Sequence, residues 1–240
     1  MKYNKKIIKA KFIKRPNRFN AVVKIDGVET IVHVPNTGRC KELLYEGVTV
    51  LLREENNEKR KTKYDLICVY KKDQLICIDS QIPNKVVKEA LRNKAVDKLK
   101  NYTIIESEKF YENSRFDFRL AMENGKEYYL EVKGVTLENN GFAMFPDAPT
   151  ERGTKHIREL IKAKQEGKGA GVLFLVQMEM ISKFSPNYET DIKFSEALKE
   201  AHKCGVDIFV YNCIVTEDEI TMNKSVELLV DLWINKYYIN

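Results

Sequence analysis

Over residues 7–79 apolar and polar positions alternate in short runs: IIKAKFIK, RFNAVVKID, ETIVHV, VTVLLRE, KYDLICVYK and QLICID. A repeat of two is the signature of a half-buried strand, and Arg15-Pro16-Asn17 and Asp26-Gly27 between the runs are turn signals. Five or six such strands predict a small β-barrel. The loop 35–39 then leads into a short helical turn around residues 42–45.

The texture changes at Pro83-Asn84. Asn84 is a candidate cap for a helix over 84–100, with Val86, Val87, Ala90, Leu91 and Leu99 on its apolar stripe. Strands are expected over 103–107, 115–121 and 128–135. A helix over 151–166 with Thr150 as its cap and an apolar strand over 171–177 follow, giving the order αβββαβ. A further helix over 194–203 stops at Gly205 and feeds a strand over 206–215, and the tail reads as an apolar helix around Trp233. A strand, a helix and an apolar strand in succession imply a right-handed parallel crossover, so this part is α/β with a mixed sheet. The expected organisation is therefore α+β overall, with a barrel at 1–80 and an α/β domain at 83–240.

With 240 residues, 43% of them hydrophobic, the chain can bury a substantial core. No run approaches the roughly 20 apolar residues of a membrane span, and residues 1–12 lack a secretory pattern, so the expectation is a cytoplasmic protein with no membrane partner. The five cysteines, Cys40, Cys68, Cys77, Cys204 and Cys213, contain no C-x-x-C pair and read as reduced core thiols. The net charge of +6 is uneven: residues 1–80 hold 18 Lys and Arg against 10 Asp and Glu. A basic barrel beside a slightly acidic remainder suits phosphate contacts on one side and a metal-carboxylate site on the other. A solvated lysine-rich face has the same composition.

The chemistry lies on two of the expected strands. Phe116, Phe118 and Leu120 form one side of the first, and Arg115, Asp117 and Arg119 the other. On the second, Leu130 and Val132 oppose Tyr129, Glu131 and Lys133. Matching the apolar rows brings Asp117 to Glu131 and Lys133. A two-residue turn at Asn124-Gly125 would instead set Asp117 opposite Val132, so an odd loop is expected, such as Asn124-Gly125-Lys126 with a bulge. Two close carboxylates repel, and Mg²⁺ or Mn²⁺ relieves that repulsion. Such an ion with Lys133 beside it has the equipment to hydrolyse a phosphodiester. Glu89, at the margin of the first helix's apolar stripe, is a candidate third ligand. A salt bridge on a sheet face has the same appearance in sequence, and Glu89 also reads as a solvated helix residue.

Other chemistries find less support. His33, His156 and His202 are too scattered for a zinc cluster, 167–171 lacks the P-loop arrangement, and no nucleophilic triad is visible around Ser114.

The chain resembles the sugar fermentation stimulation protein family through RPNRF (15–19), HVPNTGR (33–39), SRFDF (114–118), EVKGVTL (131–137), FPDAPTERGTKH (145–156) and KFSEAL (193–198). That resemblance implies an OB-type barrel joined to a restriction-endonuclease-like PD-(D/E)xK domain, and DNA binding with little sequence preference. Asp117, Glu131 and Lys133 match the motif, and Glu89 matches the acidic residue of the first helix. Phe116 stands where the motif's proline would be. The family name implies a link to sugar (maltose) metabolism, and a regulatory, noncatalytic role is the alternative. RNA remains open beside DNA as the partner, and a homodimer beside a monomer. Candidate nucleic-acid contacts are Arg15, Arg18 and Arg39 next to turns, Asn36 and Thr37 in the Gly38 loop, Arg115 beside the acidic strand, and Arg152, Lys155 and His156 at the start of the helix after Lys133. For the Asn36-Thr37-Gly38 segment loop shaping is the competing role, and for His156 an ordinary helix-surface position.

Overall fold

The computed structural model describes residues 1–36, 38–57 and 59–229. Six strands build the first half: β1 (Ile7–Lys14), β2 (Asn20–Ile25), β3 (Val28–His33), β4 (Thr49–Glu54), β5 (Tyr64–Lys71) and β6 (Gln74–Cys77). β2 and β3 meet through a two-residue turn in which Asp26 (φ 47°) and Gly27 (φ 88°) are both left-handed, the backbone that a tight hairpin requires. The sheet runs β3-β2-β1-β4-β5-β6, and His33 of β3 pairs with Asp65 of β5. That pairing closes five strands into a barrel, with β6 appended to β5. Its interior is apolar, with Ala21, Val23, Val32, Val50, Leu66 and Val69 inaccessible to solvent.

The second half begins with α1 (Ile82–Arg92). Pro83 sits in the first turn, where its missing N–H costs nothing, so the helix starts before Asn84 and not at it. The helix is also shorter than expected, and a single 3-10 turn follows at Asp97–Leu99. Strands β7 (Ile104–Tyr111), β8 (Ser114–Ala121) and β9 (Glu127–Val135) come next, then β10 (Glu138–Asn139) and β11 (Phe142–Phe145). The chain continues through α2 (Glu151–Gln165), β12 (Gly169–Val176), β13 (Lys183–Pro186), α3 (Ile192–Lys203), β14 (Asp207–Val215), β15 (Ile220–Ser225) and β16 (Glu227–Leu228). The main sheet is β15-β14-β12-β9-β8-β7, with β12 parallel to β9 and β14 and the outer pairs antiparallel. It is mixed, as the αβββαβ order predicts. A small sheet, β10-β11-β13-β16, has no counterpart in the sequence reading. Its strands are two to four residues long, too short to show a period.

The Thr150 hydroxyl accepts the Gly153 N–H at 3.1 Å and caps α2, a contact worth about 1 kcal/mol. Asp191 does the same for α3 through the Phe194 N–H at 3.0 Å. The expected tail helix around Trp233 lies outside the described residues. All five cysteines are free thiols. Among the described residues no helix is long and apolar enough to cross a membrane.

The two halves share an interior. Leu51, Ile67, Leu75 and Cys77 of the barrel pack in one apolar cluster with Val87 and Leu91 of α1 and Phe118 and Leu130 of the main sheet. Backbone and side chain reinforce the seam. The Cys77 N–H donates to the Gln177 carbonyl at 3.0 Å, and the Gln177 amide donates to the Cys77 carbonyl at 2.9 Å.

Candidate active site

β8 and β9 pair with Phe118 opposite Leu130, Leu120 opposite Tyr128 and Ala121 opposite Glu127. The Met122 N–H donates to the Lys126 carbonyl at 2.9 Å, so the loop is the odd three-residue Glu123-Asn124-Gly125. An odd loop is what the sequence demands, but it is centred one residue earlier than expected.

The ladder between these strands ends at Phe118 and Leu130, just before the acidic pair. There the side chain of Asp117 takes over: its Oδ2 accepts the Val132 N–H at 2.8 Å. Its Oδ1 accepts from the Asn84 amide of α1 at 2.6 Å. On the other flank of β8, Ser107 pairs with Phe118 and Lys109 with Phe116, while Glu108 between them is left-handed (φ 55°). A non-glycine residue in that region marks local backbone strain. Phe116 leaves the apolar row: it packs with Tyr129, Ile157 and Leu160, whereas Phe118 and Leu120 pack with Val86, Val87 and Leu130. The single-faced row expected for β8 is therefore broken at Asp117.

Glu131 is buried, 4% exposed. Its Oε1 accepts from Lys133 Nζ at 2.6 Å and from His156 Nδ1 at 2.6 Å, the imidazole being the donor because an ionised carboxylate only accepts. Its Oε2 is buried with no hydrogen-bond partner. An ionised oxygen without a partner is costly inside a protein, which makes it an open ligand position.

Burial, and next the charge of Glu131, push the Asp117 carboxyl up to about 6, against the opposing Val132 N–H, Asn84 amide and Lys133 ammonium. Burial raises Glu131 too, but the His156 hydrogen bond and the Lys133 charge outweigh it and hold Glu131 below the ordinary glutamate value. Two neighbouring carboxyls thus differ in proton affinity, an arrangement that separates their chemical roles.

The donor set fits a small hard cation: Mg²⁺ takes one or two carboxylates and keeps several waters. Asp117 and Glu131 supply that number. Among the described residues no group of three or more His, Cys, Asp or Glu side chains is placed to hold a metal.

Several candidate residues lie elsewhere. Glu89 is half-exposed and binds the amino group of Met1 at 3.0 Å, so it is not gathered with Asp117 and Glu131. The α1 residue that does reach the site is Asn84, from the first turn. His156 is not on the helix surface: it is 6% exposed, with the Phe116 ring edge-on at 6.0 Å. Its spacing of three from Gly153 and four from Leu160, both buried, carries that signal in the sequence. Arg152 is exposed. Lys155 donates to the Asn113 carbonyl at 3.2 Å in the β7–β8 turn, and Arg115 lies 3.7 Å from Glu108.

In the barrel, Arg15 does not offer a free fork to phosphate. Its guanidinium donates to the carbonyls of Arg18, Asn36, Gly38 and Arg39 at 2.5–2.9 Å. Asn36 likewise shapes its loop, donating to the Ile78 carbonyl at 2.7 Å and accepting the Gly38 N–H at 2.7 Å. Arg18 and Arg39 are exposed, and Thr37 lies outside the described residues.

Comparison with known proteins places this architecture. The family model for the N-terminal OB domain matches residues 13–78, and the one for the sugar fermentation stimulation protein RE domain matches residues 81–219. The chain is 63% identical over 228 residues to a sugar fermentation stimulation protein homolog of Clostridium botulinum (strain Langeland), covering 95% of this chain and 99% of that one. It is 64% identical over 226 residues to the homolog of Clostridium tetani, covering 94% and 98%. Among solved structures it resembles Pyrococcus furiosus SfsA, described in complex with Ca²⁺, with a TM-score of 0.87, 29% identity and coverage of 95% and 98%. Both domain models match in order, and relatives align along almost the whole chain: this protein belongs to the sugar fermentation stimulation protein family.

Proposed function

We propose that the protein is a divalent-metal-dependent nuclease that hydrolyses phosphodiester bonds in DNA with little sequence preference. The observation that carries this reading is the buried, unpartnered Oε2 of Glu131, in a cluster with Asp117 and Lys133. Asp117 and Glu131 would hold Mg²⁺ or Mn²⁺. Bound there, such an ion would supply Lewis acidity toward a phosphoryl oxygen and toward a water. Lys133 supplies a positive charge next to the reacting phosphate and a donor that orients the attacking water. His156 fixes the Glu131 carboxylate from behind, and Asn84 with the Val132 N–H fixes Asp117. That a similar structure is described in complex with Ca²⁺ supports a divalent cation as a ligand of this fold.

A second reading, a noncatalytic DNA-binding regulator connected with sugar metabolism, is favoured by the small number of metal-binding side chains. One experiment separates the two. Purified protein is incubated with single-stranded and duplex DNA in Mg²⁺ or Mn²⁺, beside Glu131→Gln and Lys133→Ala. The nuclease reading expects cleavage that falls on the order of 100-fold in either variant. Binding without cleavage by the wild type, in both metals, establishes the regulator.

A further inference from the structure

A groove of about 520 Å³ runs along the barrel between the β1–β2 turn and the loop after β3, lined by Lys14, Arg15, Arg18, Gly38, Arg39 and Lys41. We propose that this groove binds single-stranded nucleic acid, with a base stacked on Phe19 and the backbone phosphates held by Arg18, Arg39, Lys14 and Lys41. The proposal rests on the nucleic-acid reading above and specifies the strand form taken by the barrel.

Charge supports it first. Among the described residues none of these four cations has a carboxylate within ion-pair distance, and the acid in the lining is Glu46. A larger cavity of about 810 Å³ next to the N-terminal segment also contains arginines, but they are already neutralised. There Arg53 binds Glu55, Asp65 and Asp79 at 2.8–3.0 Å, and Arg60 binds Asp65. Among the described residues, Arg18 and Arg39 of the first groove have no such carboxylate partner.

The second support is aromatic. Phe19 is 49% exposed, and the Arg18 guanidinium lies over one face of its ring, 4.9 Å from the centroid. An exposed ring beside unpaired cations matches a stacking platform for an unpaired base. In a duplex the bases are already stacked on each other, so such a ring adds little to duplex binding. Phe19 does not serve the barrel's own core, since the interior is filled without it.

Third, the groove is built and not a gap between loose loops. Arg15 binds the carbonyls of Arg18 on one wall and of Asn36, Gly38 and Arg39 on the other. One guanidinium therefore bridges the two walls that carry Arg18 and Arg39. Gly38 also lines a smaller cavity of about 190 Å³ that reaches Gly134, the neighbour of Lys133.

The test measures fluorescence anisotropy of a labelled deoxyoligonucleotide, single-stranded or paired, in EDTA so that no cleavage occurs. Single strand is expected to bind at least tenfold tighter than duplex of equal length. Phe19→Ala should lose about tenfold in single-strand affinity with the salt slope unchanged, and Phe19→Trp should restore it. Arg18→Ala with Arg39→Ala should lower the salt slope by about 1.4, two single-strand phosphates' worth. These side chains are exposed, and unchanged circular dichroism and melting temperature verify the fold. Equal or tighter duplex binding, or Phe19→Ala binding like wild type, overturns the groove. Cleavage in Mg²⁺ is scored separately: Phe19-dependent binding without cleavage removes the nuclease and keeps the groove, whereas cleavage with no dependence on Phe19 removes the groove alone.

Discussion

Glu131 and His156, 25 residues apart in the chain, share a buried 2.6 Å hydrogen bond that ties strand β9 to helix α2. The bond uses one carboxylate oxygen and leaves the other without a partner. Removing the imidazole should leave Oε1 to the Lys133 ammonium. His156→Ala is expected to lower stability by about 1–3 kcal/mol, the cost of a lost buried hydrogen bond to a charged group. Asn at 156 offers an amide N–H near the Nδ1 position and should recover part of the metal affinity. Calorimetric melting and titration with Mn²⁺ check the two halves of this expectation.

Asp117 predicts a pH effect of definite sign. Its carboxyl is raised in the folded protein, to about 6 from 3.8, so the ionised form is the disfavoured one inside. The contribution of the neutral form is complete below the unfolded value and is lost as pH rises through about 6. At 1.36 kcal/mol per unit the upper bound is about 3 kcal/mol. In EDTA, Asp117→Asn should melt higher than wild type at pH 8, and the gap should shrink toward pH 4. A variant that melts lower at pH 8 would show that the carboxylate is not under strain.

Asn84 and Glu89 stand on the same helix but are expected to behave differently. Asn84 donates to Asp117, whereas Glu89 binds the Met1 amino group. Asn84→Ala should weaken Mn²⁺ binding and cleavage by roughly tenfold, the worth of one hydrogen bond to a charged group. Glu89→Gln should leave both within about twofold. Isothermal titration and initial cleavage rates decide it, and a large loss in Glu89→Gln would make that residue a ligand.

Gly134 follows Lys133 directly, and a Cβ there would come within 2.4 Å of Gln177 Oε1 and 2.8 Å of Pro83 Cγ. Gly134→Ala should cost about 1–3 kcal/mol through overpacking at the start of α1. Because α1 carries Asn84, cleavage should fall together with the denaturation midpoint.

The sequence was legible where one physical rule acted alone. Alternation exposed all six strands of the first half, and the Thr150 cap marked the start of α2. The meeting of Asp117 with Glu131 followed from pairing, since an odd loop was required. Where two rules competed, the reading failed. Asn84 is a strong capping residue, but Pro83 had already claimed the first turn and moved the cap outward. Glu89 lay on the stripe margin, and a helix that starts at Ile82 turns it toward Met1 instead of the acidic pair. The departure of Phe116 to the other cluster leaves no mark in the sequence, where Phe116, Phe118 and Leu120 alternate evenly. Arg15 was legible as important but not for what: a side chain that collects four carbonyls and one that grips phosphate are written with the same letter.

The seam at Cys77 and Gln177 has a consequence for how this protein can be handled by an experimenter or by evolution. A gene cut near residue 80 would yield two fragments, each displaying half of a common oily interior and a severed hydrogen-bond pair. Neither fragment would be a transplantable module, and the intact chain should melt in a single calorimetric transition. Recombination that keeps the barrel half and exchanges the α/β half would first have to resurface both.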